Sequence, residues 1–253
     1  MKELTNPSTK ASGIFYGLGV GPGDPELITL KAARLINECD VICYLCNDAS
    51  SDNPGSSQSK NIAQNLIDGR VNKAVEIAIP MPYKRDRTAA NSAYDQGADS
   101  IALALRQGQT VVFLCEGDPL FFGSYSYLQE RLCDQFTCIS IPGISSPNAA
   151  SAVAGIPLTM QKENYAVLSG RLSDEKILNH LTEFDSLALM KVGQSRPRLL
   201  SLLKQSGRLT ETVYIEYATR EQQKVVYDVS TLDQSASGPY FSLFIVTRQK
   251  REQ

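Results

Sequence analysis

Histidine and tryptophan are almost missing from this chain, which has one His, His180, and no Trp among 253 residues. A histidine-rich metal site is therefore excluded, and any Ser–His or Cys–His mechanism would have to use His180. That residue lies in Ile177–Leu181, which reads as an amphipathic helix with no partner near it in sequence to position an imidazole for catalysis. A surface or capping histidine is expected. Long apolar runs are also missing: none approaches the roughly 20 residues needed to cross a bilayer. Neither sign of charge is in excess, with 25 Lys and Arg against 27 Asp and Glu. This argues against a broad nucleic-acid-binding face but leaves room for a local anion pocket. Met1 to Ser12 is polar and has no apolar secretory core, so a ragged tail on a cytoplasmic protein is expected.

What is present is an apolar chain with 42% hydrophobic and 21% charged residues. That is too apolar for disorder, and the chain is long enough to divide into two cores. Of six cysteines, Cys39, Cys43 and Cys46 form C-x3-C-x2-C, the spacing of radical enzymes that hold a four-iron cluster. Their context argues otherwise. Asp40 to Leu45 has strand character, and alternate side chains of a strand point to opposite faces. Cys43 and Cys46 would diverge, and Cys39 and Cys43 are expected to be small buried apolar residues. Cys115, Cys133 and Cys138 show no ligand spacing.

Short apolar runs alternate with amphipathic stretches. Strands are predicted at Ile14 to Val20, Val41 to Leu45, Ala74 to Pro80 and Thr110 to Cys115. Helices are predicted over Glu26 to Asn37, Gln58 to Ile67, Thr88 to Gln107 and Ser124 to Leu132. A second series starts near Phe136. Its strands are Thr137 to Ile141, Tyr165 to Ser169, Ser186 to Lys191, Thr212 to Tyr217, Lys224 to Val229 and Tyr240 to Thr247. Its helices are Ser146 to Val153, Asp174 to Leu181 and Pro197 to Gln205. Ala49 to Ser59, rich in Ser, Asp, Asn, Pro and Gly, reads as a loop. The alternation predicts an α/β protein with mostly parallel sheets, in two α/β domains over residues 13–135 and 136–253, after a tail at 1–12.

Open α/β sheets bind ligands at the carboxyl ends of their strands, and three turns there stand out. Gly19-Val20-Gly21-Pro22-Gly23-Asp24-Pro25 lets backbone approach a ligand and offers Asp24 as a helix cap. It is neither the dinucleotide pattern nor a P-loop. Glu116-Gly117-Asp118-Pro119 places two acids at a strand end, where they are costly unless solvated or used. They suit hydroxyls or a cationic ligand. Pro142-Gly143-Ile144-Ser145-Ser146 has serines that can cap a helix or bind.

In this order, G-x-G-P-G-D, E-G-D-P and P-G-I-S-S resemble the tetrapyrrole methylases, which are S-adenosylmethionine (SAM)-dependent. The resemblance runs from about Gly13 to Thr247. Phe113–Pro119, Gly123-Ser124-Tyr125, Tyr127-Leu128, Met190-Lys191-Val192-Gly193, Pro239–Ser242 and Ile79–Pro82 with Arg85-Asp86 resemble one branch, which methylates C20 of precorrin-2 in cobalamin synthesis. The resemblance implies two α/β domains with SAM in the cleft between them, in a homodimer with a tetrapyrrole substrate and no nucleic-acid or membrane partner. It implies SAM contacts at Pro22, Glu116, Gly117, Asp118, Phe121, Ser145, Ser146, Val192, Ala218 and Phe241. It implies no metal ligand. Some relatives carry an Asp after the second strand; here Asn47 follows Cys46, so no catalytic base is assigned. Precorrin-2 carries many carboxylates, which makes Lys84, Arg85 and Arg87 the leading substrate contacts, with Lys191, Arg196 and Arg220 behind them. The alternatives are another methylase of the family, the iron–sulfur enzyme, and a module that binds without methyl transfer.

Overall fold

The structure, a computed structural model, describes residues 13–47, 55–82 and 87–248. It divides into two compact units, Met1–Ser145 and Ser146–Gln253. The predicted tail at 1–12 and residues 49–54 of the Ala49 to Ser59 loop lie outside the described residues.

The first unit runs β1 (Ile14–Gly19), α1 (Leu30–Glu38), β2 (Val41–Cys46), α2 (Gln58–Asp68), β3 (Val75–Pro80), α3 (Arg87–Arg106), β4 (Thr110–Cys115), α4 (Tyr125–Leu132) and β5 (Thr137–Ile141). Its strands form one sheet in the order β3-β2-β4-β1-β5, and every pairing is parallel. A parallel sheet must be covered on both faces, and the strands show why this one can be. On one face Phe15, Val111 and Phe113 pack with Ile101, Leu105 and Leu128 from α3 and α4. On the other, Leu18, Ile42, Val112 and Leu114 pack with Ala32, Ile36 and Ile62 from α1 and α2. Each fully buried large side chain contributes roughly 1.5–3 kcal/mol.

Two boundaries differ from the sequence reading. Residues 136–141 were expected to open the second domain, but β5 hydrogen-bonds to β1, and the units divide after Ser145 rather than after 135. Sequence alternation identifies a strand but does not say which sheet it joins. The helix expected from Glu26 is two pieces. Asp24 accepts a hydrogen bond from Glu26 N (2.9 Å) and caps a 3-10 turn at Pro25–Leu27. Thr29 then caps α1 by accepting from Ala32 N at 3.2 Å. Two capping residues five apart give two starts.

The second unit runs α5 (Ser146–Ala154), β6 (Tyr165–Ser169), α6 (Asp174–Glu183), β7 (Ser186–Met190), α7 (Arg196–Gln205), β8 (Thr212–Glu216), β9 (Lys224–Val226) and β10 (Ser242–Thr247). The sheet order is β6-β7-β10-β8-β9. Only β6 and β7 pair in parallel; β10 runs antiparallel to both β7 and β8, and β9 antiparallel to β8. The expected parallel arrangement therefore fails here. The connection between β8 and β9 is too short for a crossover and makes a hairpin, and β10 returns between β7 and β8. Leu187, Leu189, Phe244 and Val246 pack with α6 and α7 residues such as Ile177 and Leu203. Val213, Ile215, Leu243 and Ile245 pack on Ala150 and Ala154 of α5.

Candidate active site

In the first unit β1 lies between β4 and β5, with Gly19 beside Cys115 and Leu18 beside Ile141. The three singled-out turns therefore leave the sheet side by side. Val20 N donates to Cys115 O (2.9 Å), and Gly117 N donates to Gly21 O (2.7 Å). A methyl group on Gly143 would sit 2.1 Å from Gly117 O, and one on Gly19 2.6 Å from the same oxygen. Gly21 and Gly117 have φ of 79° and 65°, a region open to glycine at little cost. The glycines are what permit this close backbone packing.

The candidate side chains divide by role. Both oxygens of Asp118 face backbone N–H groups: Oδ1 accepts from Leu120 N at 2.9 Å and Oδ2 from Gly143 N at 3.1 Å. Asp118 thus ties the second turn to the third. Glu116 is exposed and Pro22 buried. Phe121 is half-buried, edge-on to Phe122 at 5.3 Å. Ser145 ends the first unit, and Ser146 is the first residue of α5; both are half-buried. Parallel-strand carboxyl ends, bared backbone and a carboxylate suit a polar ligand that carries positive charge.

In the second unit Val192, Ala218 and Phe241 follow β7, follow β8 and precede β10, at one edge of the sheet. Val192 is fully buried. Tyr217 N donates to Phe241 O at 2.8 Å. The Arg220 guanidinium lies 3.8 Å from the centre of the Phe241 ring, a cation–π contact. Sequence reasoning missed one property of these turns. Among the described residues, non-glycine residues with positive φ are Phe122 (56°), Gln161 (41°), Lys191 (57°), Tyr217 (49°) and Thr219 (66°). All but Gln161 adjoin a candidate contact: Phe121, Val192 or Ala218. Such backbone costs of order 1–3 kcal/mol and gathers at functional sites. No glycine or asparagine marks the positions, so the sequence carries no signal for them.

Lys84 and Arg85 lie outside the described residues. Arg87 begins α3; its Nη2 donates to Tyr127 Oη at 3.1 Å, and its guanidinium lies 5.6 Å from that ring's centre. Tyr127 stacks on Tyr94 at 4.9 Å. Arg196 is turned inward and 7% exposed. His180 Nδ1 lies 2.6 Å from Lys176 O, one turn earlier on α6, and its ring stacks on Phe184, so the side chain lies along its own helix and does not cap its end. Cys43 sits in the layer beneath α3 and α4, whereas Cys39 and Cys46 sit in the opposite layer. Burial pushes the Cys43 thiol well up. No group of three or more metal-binding side chains occurs among the described residues. The iron–sulfur alternative fails on this placement.

The sequence model of the family described as Tetrapyrrole (Corrin/Porphyrin) Methylases matches residues 15–234. The chain is 33% identical to a precorrin-2 C(20)-methyltransferase of Sinorhizobium sp, over 92% of this chain and 95% of that enzyme. It is 27% identical to a cobalt-precorrin-2 C(20)-methyltransferase of Salmonella typhimurium, over 94% and 98%. Its fold matches that of a uroporphyrin-III C-methyltransferase from Thermus thermophilus, complexed with S-adenosylhomocysteine. That match has a TM-score of 0.65, 22% identity, and coverage of 93% of this chain and 97% of that one. With one family model spanning most of the chain, and the three ordered turns packed as a single cluster, the chain belongs to the tetrapyrrole (corrin/porphyrin) methylase family.

Proposed function

We propose that this chain transfers a methyl group from S-adenosylmethionine to C20 of precorrin-2 or cobalt-precorrin-2, in cobalamin biosynthesis. The observation that carries the reading is 33% identity along nearly the full length of both chains to a precorrin-2 C(20)-methyltransferase. The name of the Salmonella typhimurium relative supplies the cobalt form of the substrate.

The residues present fit the donor. When bound, SAM supplies a methyl group already activated on a sulfonium. The close approach of Gly19, Gly117 and Gly143 leaves backbone, rather than side chains, at the strand ends. Exposed Glu116 supplies negative charge beside them. On this reading Pro22, Gly117, Phe121, Ser145 and Ser146 touch the donor, and Asp118 acts by holding two of the turns in register. Val192, Ala218 and Phe241 are proposed as donor contacts on the family pattern alone. Lys84 and Arg85 remain proposed contacts for substrate carboxylates, and Arg87 holds its place through Tyr127.

The chain's contribution is to bind, orient and exclude water. A C–S bond breaks, a C–C bond forms, and one proton leaves the substrate carbon for solvent or a substrate carboxylate. His180 is held by a backbone carbonyl on α6, and we assign no base. The family resemblance leads us to expect a homodimer working in the cytoplasm. The test is turnover of precorrin-2 and of cobalt-precorrin-2 with SAM, the new methyl group being located by NMR. Methylation at C20 of either supports the reading; methylation at another carbon, or none, overturns it.

A further inference from the structure

We infer that Arg196 is a positioning residue for the donor-binding edge of the second unit. The inference rests on the functional reading above, because it concerns the turns that carry Val192, Ala218 and Phe241. Arg196 is the first residue of α7, just after the turn that holds Val192. Its Nε donates to Ala236 O at 2.9 Å, and an Nη lies 3.6 Å from Glu216 Oε1. Its guanidinium stands over the Tyr214 ring, 5.5 Å from the centre. The two charged side chains are only 8% and 15% exposed.

Each partner belongs to a different segment of that edge. Glu216 ends β8 and directly precedes the left-handed Tyr217 and Thr219 that flank Ala218. Ala236 lies on the segment leading to Phe241 and β10. That segment is pinned again where Gly238 N donates to Gly193 O (2.8 Å) and where Ser242 Oγ donates to Pro239 O (2.6 Å). A methyl group on Gly238 would lie 2.1 Å from Tyr214 Oη, so the segment has no slack against the sheet. One guanidinium therefore links the start of α7, just past the turn after β7, to the end of β8 and to the approach to β10. The strained conformations of Lys191, Tyr217 and Thr219 persist only if their surroundings hold them, and Arg196 links segments that lie next to them in the chain. A buried ion pair is weak evidence for added stability, whereas fixing one arrangement is an attested use of such pairs. Arginine suits the task because its planar fork serves several acceptors at once.

The test compares the unaltered chain with Arg196→Met, Arg196→Lys and Glu216→Gln. The measurements are S-adenosylhomocysteine affinity by calorimetry, and KM for SAM and kcat with the tetrapyrrole acceptor. Arg196→Met is expected to weaken S-adenosylhomocysteine binding and raise KM for SAM about tenfold or more, with kcat at saturating SAM within about threefold, since about 1.4 kcal/mol is tenfold. Arg196→Lys is expected to recover part of the loss. Should Arg196→Met fail to fold, Glu216→Gln carries the comparison, with a smaller loss in the same direction. Folded Arg196 and Glu216 variants that bind within twofold of the unaltered chain would overturn the inference and leave the functional reading standing. Failure of the unaltered chain to bind S-adenosylhomocysteine would bring down the reading itself, and the inference with it.

Discussion

The carboxylate of Asp118 accepts a hydrogen bond from the backbone N–H of Gly143 at 3.1 Å, while its other oxygen accepts from Leu120 N at 2.9 Å. One side chain thus closes its own turn and fastens it to the turn after β5. Asp118→Ala removes both acceptors and is expected to cost about 1–3 kcal/mol of stability and to weaken S-adenosylhomocysteine binding. Asp118→Asn keeps one acceptor oxygen and should fall between. Urea melts and calorimetry on the same samples would check the order.

Gly143→Ala places a methyl group 2.1 Å from Gly117 O, against backbone that has nowhere to retreat. Overpacking of this kind costs about 1–3 kcal/mol. The expected outcome is a lowered melting temperature together with a donor affinity reduced more than the stability loss alone explains. Donor affinity equal to that of the unaltered chain would show that the cluster is not the donor site.

Thr219 is a β-branched residue held at φ 66°, where asparagine is far more at home. Thr219→Asn is expected to raise stability, by at most the roughly 1–2 kcal/mol that left-handed backbone costs an ordinary residue, without raising affinity for the donor. Thermal melts with and without S-adenosylhomocysteine would separate the two effects.

Cys43 is fully buried between the sheet and α3 and α4. Cys43→Ala should cost about 1 kcal/mol for the lost packing and leave methyl transfer in air intact. Loss of turnover in a folded variant would restore the case for a cluster.

Glu76 accepts hydrogen bonds from Tyr44 Oη and Lys60 Nζ, both at 2.6 Å. Burial alone would raise its pKa, but these bonds and the Lys60 charge outweigh it and hold the carboxyl below the usual carboxylate range. A group with a depressed folded pKa contributes stability in full above its unfolded value, about 4.3 for Glu, and loses it as pH falls through the folded value. Part of the acid destabilisation below about pH 4.3 should therefore disappear in Glu76→Gln, as read from melting temperature against pH.

Much of the molecule is legible before any coordinates. The alternation of Val111 and Phe113 with Val112 and Leu114 announces a strand buried on both faces, and β5 and β6 begin and end where the apolar runs do. The glycine-proline punctuation locates the three turns of the first unit. What stays hidden is set by partners far along the chain. Nothing local says that β5 joins β1, or that β10 returns between β7 and β8 and reverses the sheet. Arg196 reads as one more basic residue until Glu216 and Ala236 are seen around it. Lys191, Tyr217 and Thr219 reach left-handed backbone through their surroundings, not through their own preference.

The central place of β1 between β4 and β5 has a consequence for biosynthesis of the polypeptide. A nascent chain that has emerged only through Cys115 can pair β1 on one side, while the other edge of its first strand stays open until Thr137–Ile141 leaves the ribosome. The cluster of three bends at the strand ends is then completed in a single late event.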